Sequence, residues 1–274
     1  MPNNIISLLD SDVATQLENA LDRGALFLTP NTRLAAYLRE LLDDIMLERR
    51  GVVKDVVKDV VKGVVEDVVK DAAKGVWQSP ELIPFDAWTT AQWTAAILSG
   101  KTAPRLILTA GQDVLYWERA LEQSPIAQTL MSPAAAAAQA QQGYQLLKQG
   151  LVDVDQHAFE FNSAVDSRAF YDWIKHYEAL LEGSEHIALV DAQSQLLSLD
   201  NAHSGPVVMV GFQSPTPLQQ AIVEHYAGSN NIESILLSVG CKSIQFNGCN
   251  DFDQEVKAAA YWSKQLQDKN PAAR

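Results

Sequence analysis

Few residues in this chain are spaced for chemistry. Ser99-Gly100-Lys101-Thr102 matches the tail of a phosphate-binding G-x-x-x-x-G-K-[ST] loop, but Ala95 stands where the first glycine belongs. Such a loop needs a strand before it and a helix after it, so that backbone N–H groups can cradle phosphates. Here the preceding stretch reads as helix and Ala-Pro-Arg follows, so the match is rejected. Glu255-Val256-Lys257 matches half of a metal-dependent nuclease motif. That chemistry needs the Glu and Lys on a strand beside an upstream Asp. Val256, Ala260 and Trp262 instead follow a helical pattern, which makes Glu255 and Lys257 part of a solvated helix face. The five histidines are scattered, with no HExxH pair and no companions for Asp153, Asp155 and His157. No G-x-S-x-G elbow is present. No catalytic, cofactor-binding or metal-ligating constellation is visible in this chain.

The elements that would position any site read as α/β, then helical, then α/β. Ser11 is placed to cap a helix carrying Val13, Leu17 and Leu21. Residues 25–29 (ALFLT) form a strand-length apolar run, and residues 30–50 a long helix with Leu34, Leu38, Leu41 and Ile45 at helical spacing. A short extended piece (ELIPF, 81–85) leads into a helix for which Asp86 is a candidate cap. Residues 109–185 are almost wholly helical in pattern, with Ser132 as cap, Pro133 in the first turn and Gly150 at a helix stop. Phe170, Trp173, Ile174 and Tyr177 fall on one side of another helix. Residues 205–212 (GPVVMVGF) then read as a buried strand, Thr216-Pro217 opens a helix, and SILLSVG (234–240) and SIQFNG (243–248) read as further strands before a closing helix. A helical block inserted into a parallel-sheet domain gives this order. The expected divisions are 1–108, 109–185, 186–247, and 248–274 as the start of a second domain.

Residues 51–77 stand apart. A Val-Val-charged-charged unit recurs from Val52 to Asp71. A four-residue period advances 400° per unit on a helix, so the valine stripe slips about 40° each time and meets no flat partner. The segment holds five acids and five lysines, so it is neutral. Favourable i,i+3 pairs such as Asp55–Lys58 are opposed by like-charge i,i+4 pairs such as Lys54–Lys58. It reads as a tandem duplication inserted between functional elements.

The chain has 274 residues, 47% of them hydrophobic, and a net charge of -13. A sizeable core is affordable, but bulk charge offers no attraction for nucleic acid or an anionic membrane. No apolar run approaches the roughly 20 residues of a membrane span. The start has no secretory pattern, and Cys241 and Cys249 read as reduced thiols. The expected setting is cytoplasmic, without membrane contact.

Several stretches, taken in order, carry a resemblance. LFLTPNTRLAAYLRELL (26–42) resembles the strand-turn-helix segment called motif Ia in superfamily 1 helicases. VVMVGFQSPTPLQQAIVEHY (207–226) resembles the DGF…TPxQ segment of AddB-type helicase–nuclease subunits. Residues 246–274 resemble the element that opens the second motor-like domain, and LIPFDAW (82–88) and LYWERAL (115–121) add to the likeness. Nearly the whole chain apart from the repeat is similar to AddB-like DNA repair proteins with a PD-(D/E)XK nuclease domain. The resemblance implies a P-loop-NTPase-like (helicase 1A-like) parallel sheet interrupted by an all-helical insertion. It implies contact with single- or double-stranded DNA through the full-length protein, and a possible helicase partner subunit. Thr29, Asn31 and Arg33 match the DNA-touching turn of motif Ia, where a hydroxyl, an amide and helix N–H groups meet a phosphate. Trp88 and Phe212 are weaker candidates, for base stacking, and a place in the core is the favoured competing reading for each. No Walker A loop precedes the motif Ia segment, and Val210 and Gly211 stand where an acidic Mg²⁺ ligand is expected. ATP hydrolysis would then lack its phosphate clamp and its metal. No cofactor is expected in this chain, and Mg²⁺ only in the nuclease domain that the family carries farther along. The expected role is a catalytically inactive, DNA-guiding or structural scaffold. The competing expectation is an acidic protein–protein interaction module that makes no direct DNA contact.

Overall fold

The computed structural model describes residues 11–49, 81–200, 205–228, 231–237, and singly 256, 257, 260, 261 and 264. The Val-Val-charged-charged repeat, both cysteines and the SIQFNG strand expectation lie outside the described residues. The chain divides into two compact units, Met1–Ser238 and Val239–Arg274.

The first unit is built on a four-stranded, wholly parallel sheet. Helix α1 (Ser11–Asp22) leads to β1 (Leu26–Thr29), and α2 (Thr32–Arg49) follows. Strand β2 (Leu82–Pro84) runs directly into α3 (Phe85–Leu98). After the helical layer come β5 (Val207–Val210), α9 (Pro217–Ala227) and β6 (Ile232–Ile235). The strand order is β2-β1-β5-β6. Phe27 lies beside Leu82 on one flank and Val208 on the other, and Val207 beside Ile232. All four residues of β1 and of β5 are buried, as expected for central strands covered on both faces.

The two faces are covered by different helices. Phe27, Leu82, Val208, Val210 and Ile235 bury against Leu17 of α1 and Leu38, Leu41 and Leu42 of α2. Leu26, Leu28, Val207 and Met209 face α3 and α9, against Phe85, Trp88, Ile222 and Tyr226. The connection from β1 goes one way, to β2, with α2 on the first face. The connection from β5 goes the other way, to β6, with α9 on the second. Two crossovers of one hand that run in opposite directions must place their helices on opposite faces.

Between β2 and β5 lie β3 (Leu106–Ile107), α4 (Ala110–Glu122), a 3₁₀ turn (Pro125–Thr129), α5 (Pro133–Gln149), α6 (Ala158–Phe161), α7 (Val165–Glu182), β4 (His186–Ile187) and α8 (Leu189–Leu196). The same hydrophobic cluster that covers the sheet continues into this layer through Trp93, Trp117, Tyr144 and Tyr177. Trp117 stacks on Tyr177 at 4.1 Å between ring centroids and 12° between planes. Residues 109–185 therefore share a core with the α/β part. Ile174 and Tyr177 are fully buried, while Phe170 and Trp173 pack at the margin.

Several local expectations shift. Asp86 sits inside the first turn of α3, whose N-cap is Pro84 with no side-chain cap bond; its Oδ1 instead accepts a bond from Gln193 Nε2 of α8 at 3.0 Å. Gly150 ends α5 in right-handed geometry, and the left-handed residue is Leu151, at φ 55°. Leu151 N–H bonds Lys148 O and Val152 N–H bonds Leu147 O, the paired bonds of a Schellman end. Strand β6 starts at Ile232 rather than Ser234, because Glu233 breaks the apolar run while pairing with Arg23 of α1. The two-residue strands β3 and β4 pair in parallel, and α8 extends the helical layer past residue 185. In the second unit, Val256, Lys257, Ala260, Tyr261 and Lys264 are helical and exposed.

Candidate functional site at the carboxyl edge of the sheet

In an open parallel sheet, ligands bind outside the carboxyl ends of the strands, where the connections leave in opposite directions. That place here is the mouth between β1 and β5. The turn from β1 into α2 and the turn from β5 into α9 face each other across it.

The first turn is organised from within. Thr29 is fully buried, and its Oγ1 donates to Asn31 O at 3.0 Å. Asn31 Oδ1 accepts from Leu34 N at 2.9 Å, so Asn31 is the side-chain cap of α2. Pro30, Asn31, Thr32 and Arg33 are exposed. The capping bond uses the Leu34 N–H, so among the described residues the N–H groups of Thr32 and Arg33 have no partner at the helix end. The second turn is set by a capping box. Thr216 Oγ1 accepts from Gln219 N at 3.3 Å, and Gln219 Oε1 accepts from Thr216 N at 3.0 Å. Gln213 and Ser214 project into solvent ahead of it.

Gly211 lets the two turns approach. It has φ 79°, and a Cβ there would lie 2.4 Å from Leu34 Cδ2. Its N–H bonds Ile235 O at 2.9 Å, which ties the end of β5 to β6.

Both helices that start at this mouth lack a first-turn acid. Helices α3, α4, α6, α7 and α8 each carry an acid in the first turn: Asp86, Asp113, Glu160, Asp166 and Asp191. The first turns of α2, α5 and α9 carry none, and of these α2 and α9 start at this mouth. A helix N-terminus holds about half a positive charge, which a first-turn carboxylate neutralises. The mouth is thus flanked by two uncompensated helix ends and the exposed Arg33, in a chain of net charge -13.

Of the five residues singled out from sequence, Asn31 and Arg33 stand at the surface of this mouth. Thr29 acts one layer below, holding the turn through Asn31. Trp88 and Phe212 are buried. Trp88 meets Tyr226 edge-on at 5.1 Å and Phe85 at 6.0 Å, and Phe212 meets Phe85 edge-on at 6.4 Å. Both rings belong to the core and present no face to a base. Val210 and Gly211 offer no side-chain oxygen at the end of β5. Sequence reasoning overlooked Arg39, whose Nη2 donates to Leu82 O at 3.1 Å on the outer side of β2. Together with Pro84, which lacks an N–H, it blocks that sheet edge.

The discarded motifs have structural roles. Ser99 is the C-cap of α3, with Gly100 at φ 71° and Lys101 N–H bonded to Ala96 O. The Ser-Gly-Lys-Thr run therefore meets the negative, carbonyl end of a helix. Asp153 Oδ1 accepts from the N–H groups of Asp155 and Gln156, so it caps a turn.

No protein-family model matches the chain, and no curated protein matches it significantly.

Proposed function

We propose that this chain is a P-loop-NTPase-like, helicase 1A-like domain without motor chemistry, which guides a DNA strand for a repair or recombination nuclease. The phosphate backbone of single-stranded DNA lies across the mouth between β1 and β5. The observation that carries this reading is the pairing of two acid-free helix N-termini, those of α2 and α9, at the topological switch of the sheet. The resemblance of residues 26–42 and 207–226 to helicase–nuclease subunits supports it, since those two stretches are the ones that form the mouth. Asn31 orients the turn, and Arg33 and the first N–H groups of α2 take a phosphate. Recognition of this kind reads backbone and not sequence.

The net charge of -13 opposes binding everywhere else, so affinity is modest and confined to low salt. Fluorescence anisotropy of a labelled single-stranded oligonucleotide, titrated with the full chain at low ionic strength, tests this. Saturable binding that Arg33→Glu abolishes is expected. A flat titration removes the DNA reading and leaves the acidic protein-docking module as the reading to pursue.

A further inference from the structure

A second polar concavity lies away from the sheet edge and plays no part in the DNA reading. A cavity of about 480 Å³ opens between α5, α7, β4 and α8. Its size falls within the roughly 300–1,000 Å³ typical of small-molecule sites. Its lining carries two cations, Arg105 and Lys148, and three carboxylates, Glu178, Glu182 and Asp191, beside Leu181, Ile187 and the Tyr144 ring.

Part of this charge is satisfied internally. Tyr144 Oη donates to Asp191 Oδ1 at 2.8 Å, and Lys148 Nζ lies 3.3 Å from the same oxygen. Lys148 also lies 3.7 Å from Glu178 and 5.0 Å from the centre of the Tyr144 ring. Burial raises the Asp191 carboxyl above its ordinary range, against the opposing pull of Lys148 and Tyr144. These bonds all reach Oδ1 and leave Oδ2 without a partner among the described residues.

The other wall is different. Arg105 Nη2 donates to Leu181 O at 2.9 Å, which fixes the guanidinium and leaves its remaining N–H groups unused among the described residues. Glu182 is exposed on the same cavity, and the two form no ion pair. A held cation and a free carboxylate that share one cavity without meeting call for a ligand that carries both signs. An apolar ligand leaves these charged groups unanswered, and a singly charged one answers only half of them.

We infer that this cavity binds a small zwitterion of the amino-acid type, with its carboxylate on the Arg105 guanidinium and its ammonium at Asp191 Oδ2 and Glu182. The guanidinium suits a carboxylate through paired N–H donors.

Isothermal titration of the full chain tests this with glycine, L-glutamine and L-lysine as zwitterions, and with n-butylamine and butyrate as single-charge controls. At least one zwitterion is expected to bind with Kd near or below about 1 mM, and the controls at least about tenfold more weakly. Glu182→Gln and Arg105→Gln should each weaken that binding about tenfold or more. Glu182 is exposed and forms no pair with Arg105, so its variant keeps the fold even if Arg105→Gln does not. The proposal is overturned if no zwitterion binds at about 10 mM, if butylamine or butyrate binds as well as the zwitterions, or if Glu182→Gln binds unchanged.

Discussion

Gly211 and Leu34 meet so closely that a Cβ on residue 211 would stand 2.4 Å from Leu34 Cδ2, and this contact brings the exits of β1 and β5 together. Gly211 also holds φ 79°, where any other L-residue is strained. Gly211→Ala adds a backbone penalty to an overpacking penalty. The expected loss is about 2–4 kcal/mol of unfolding free energy, read by urea denaturation. Leu34→Ala in the same chain should recover part of it by clearing the space.

Thr29 and Arg33 should separate cleanly in their effects. Thr29→Val leaves a buried backbone turn without its hydroxyl donor and should cost about 1 kcal/mol of stability. Arg33→Ala touches no intramolecular partner among the described residues and should stay within about 0.5 kcal/mol of the parent. In DNA titrations the order reverses. Arg33→Ala weakens binding and lowers the slope of log K against log salt by about 0.7, the value for one phosphate contact on a single strand.

Burial, reinforced by neighbouring acids, holds the Tyr144 and Tyr177 phenols well above the ordinary tyrosine range. Groups with raised native pKa values add stability that is complete below the unfolded value. That stability is lost as pH climbs past it, because the native state then keeps protons that the unfolded chain releases. Stability should therefore fall steadily above about pH 10. Ultraviolet absorbance should show these two phenols ionising only as the chain unfolds. Tyr177→Phe should also cost about 1–3 kcal/mol at neutral pH, since Asp113 loses the donor that Tyr177 Oη supplies.

Leu151 occupies a left-handed position that glycine fills at low cost, and the neighbouring Gly150 does not need that freedom. Leu151→Gly should stabilise the chain by about 1 kcal/mol in thermal or denaturant unfolding. The half-exposed Leu151 side chain gives up little by its removal.

The legibility of the fold followed the strength of the local signal. The fully apolar runs of β1 and β5, and caps such as Ser132-Pro133 and Thr216-Pro217, depend on short-range chemistry and could be read directly. Strands β3 and β4 have two residues each, too short for any period to register. Helix α8 lacks a side-chain cap at Ala188, so nothing marked its start. At the site, the turn between an apolar strand and an amphipathic helix shows in sequence, but Asn31 and Arg33 are marked within it only by the resemblance to motif Ia. Trp88 and Phe212 could not be placed, because an aromatic beside a strand end reads alike whether it faces solvent or the helix α9. The cavity at Arg105 and Asp191 joins residues from four distant elements and left no local trace.

The most direct test is hydrogen exchange on the full chain with and without saturating single-stranded DNA at low salt. Slowed exchange confined to residues 30–36 and 212–220, and absent from Arg33→Glu, is the expected result. Unchanged exchange in both segments under conditions where DNA is bound, or protection centred elsewhere, would contradict a phosphate-binding role for the mouth between β1 and β5.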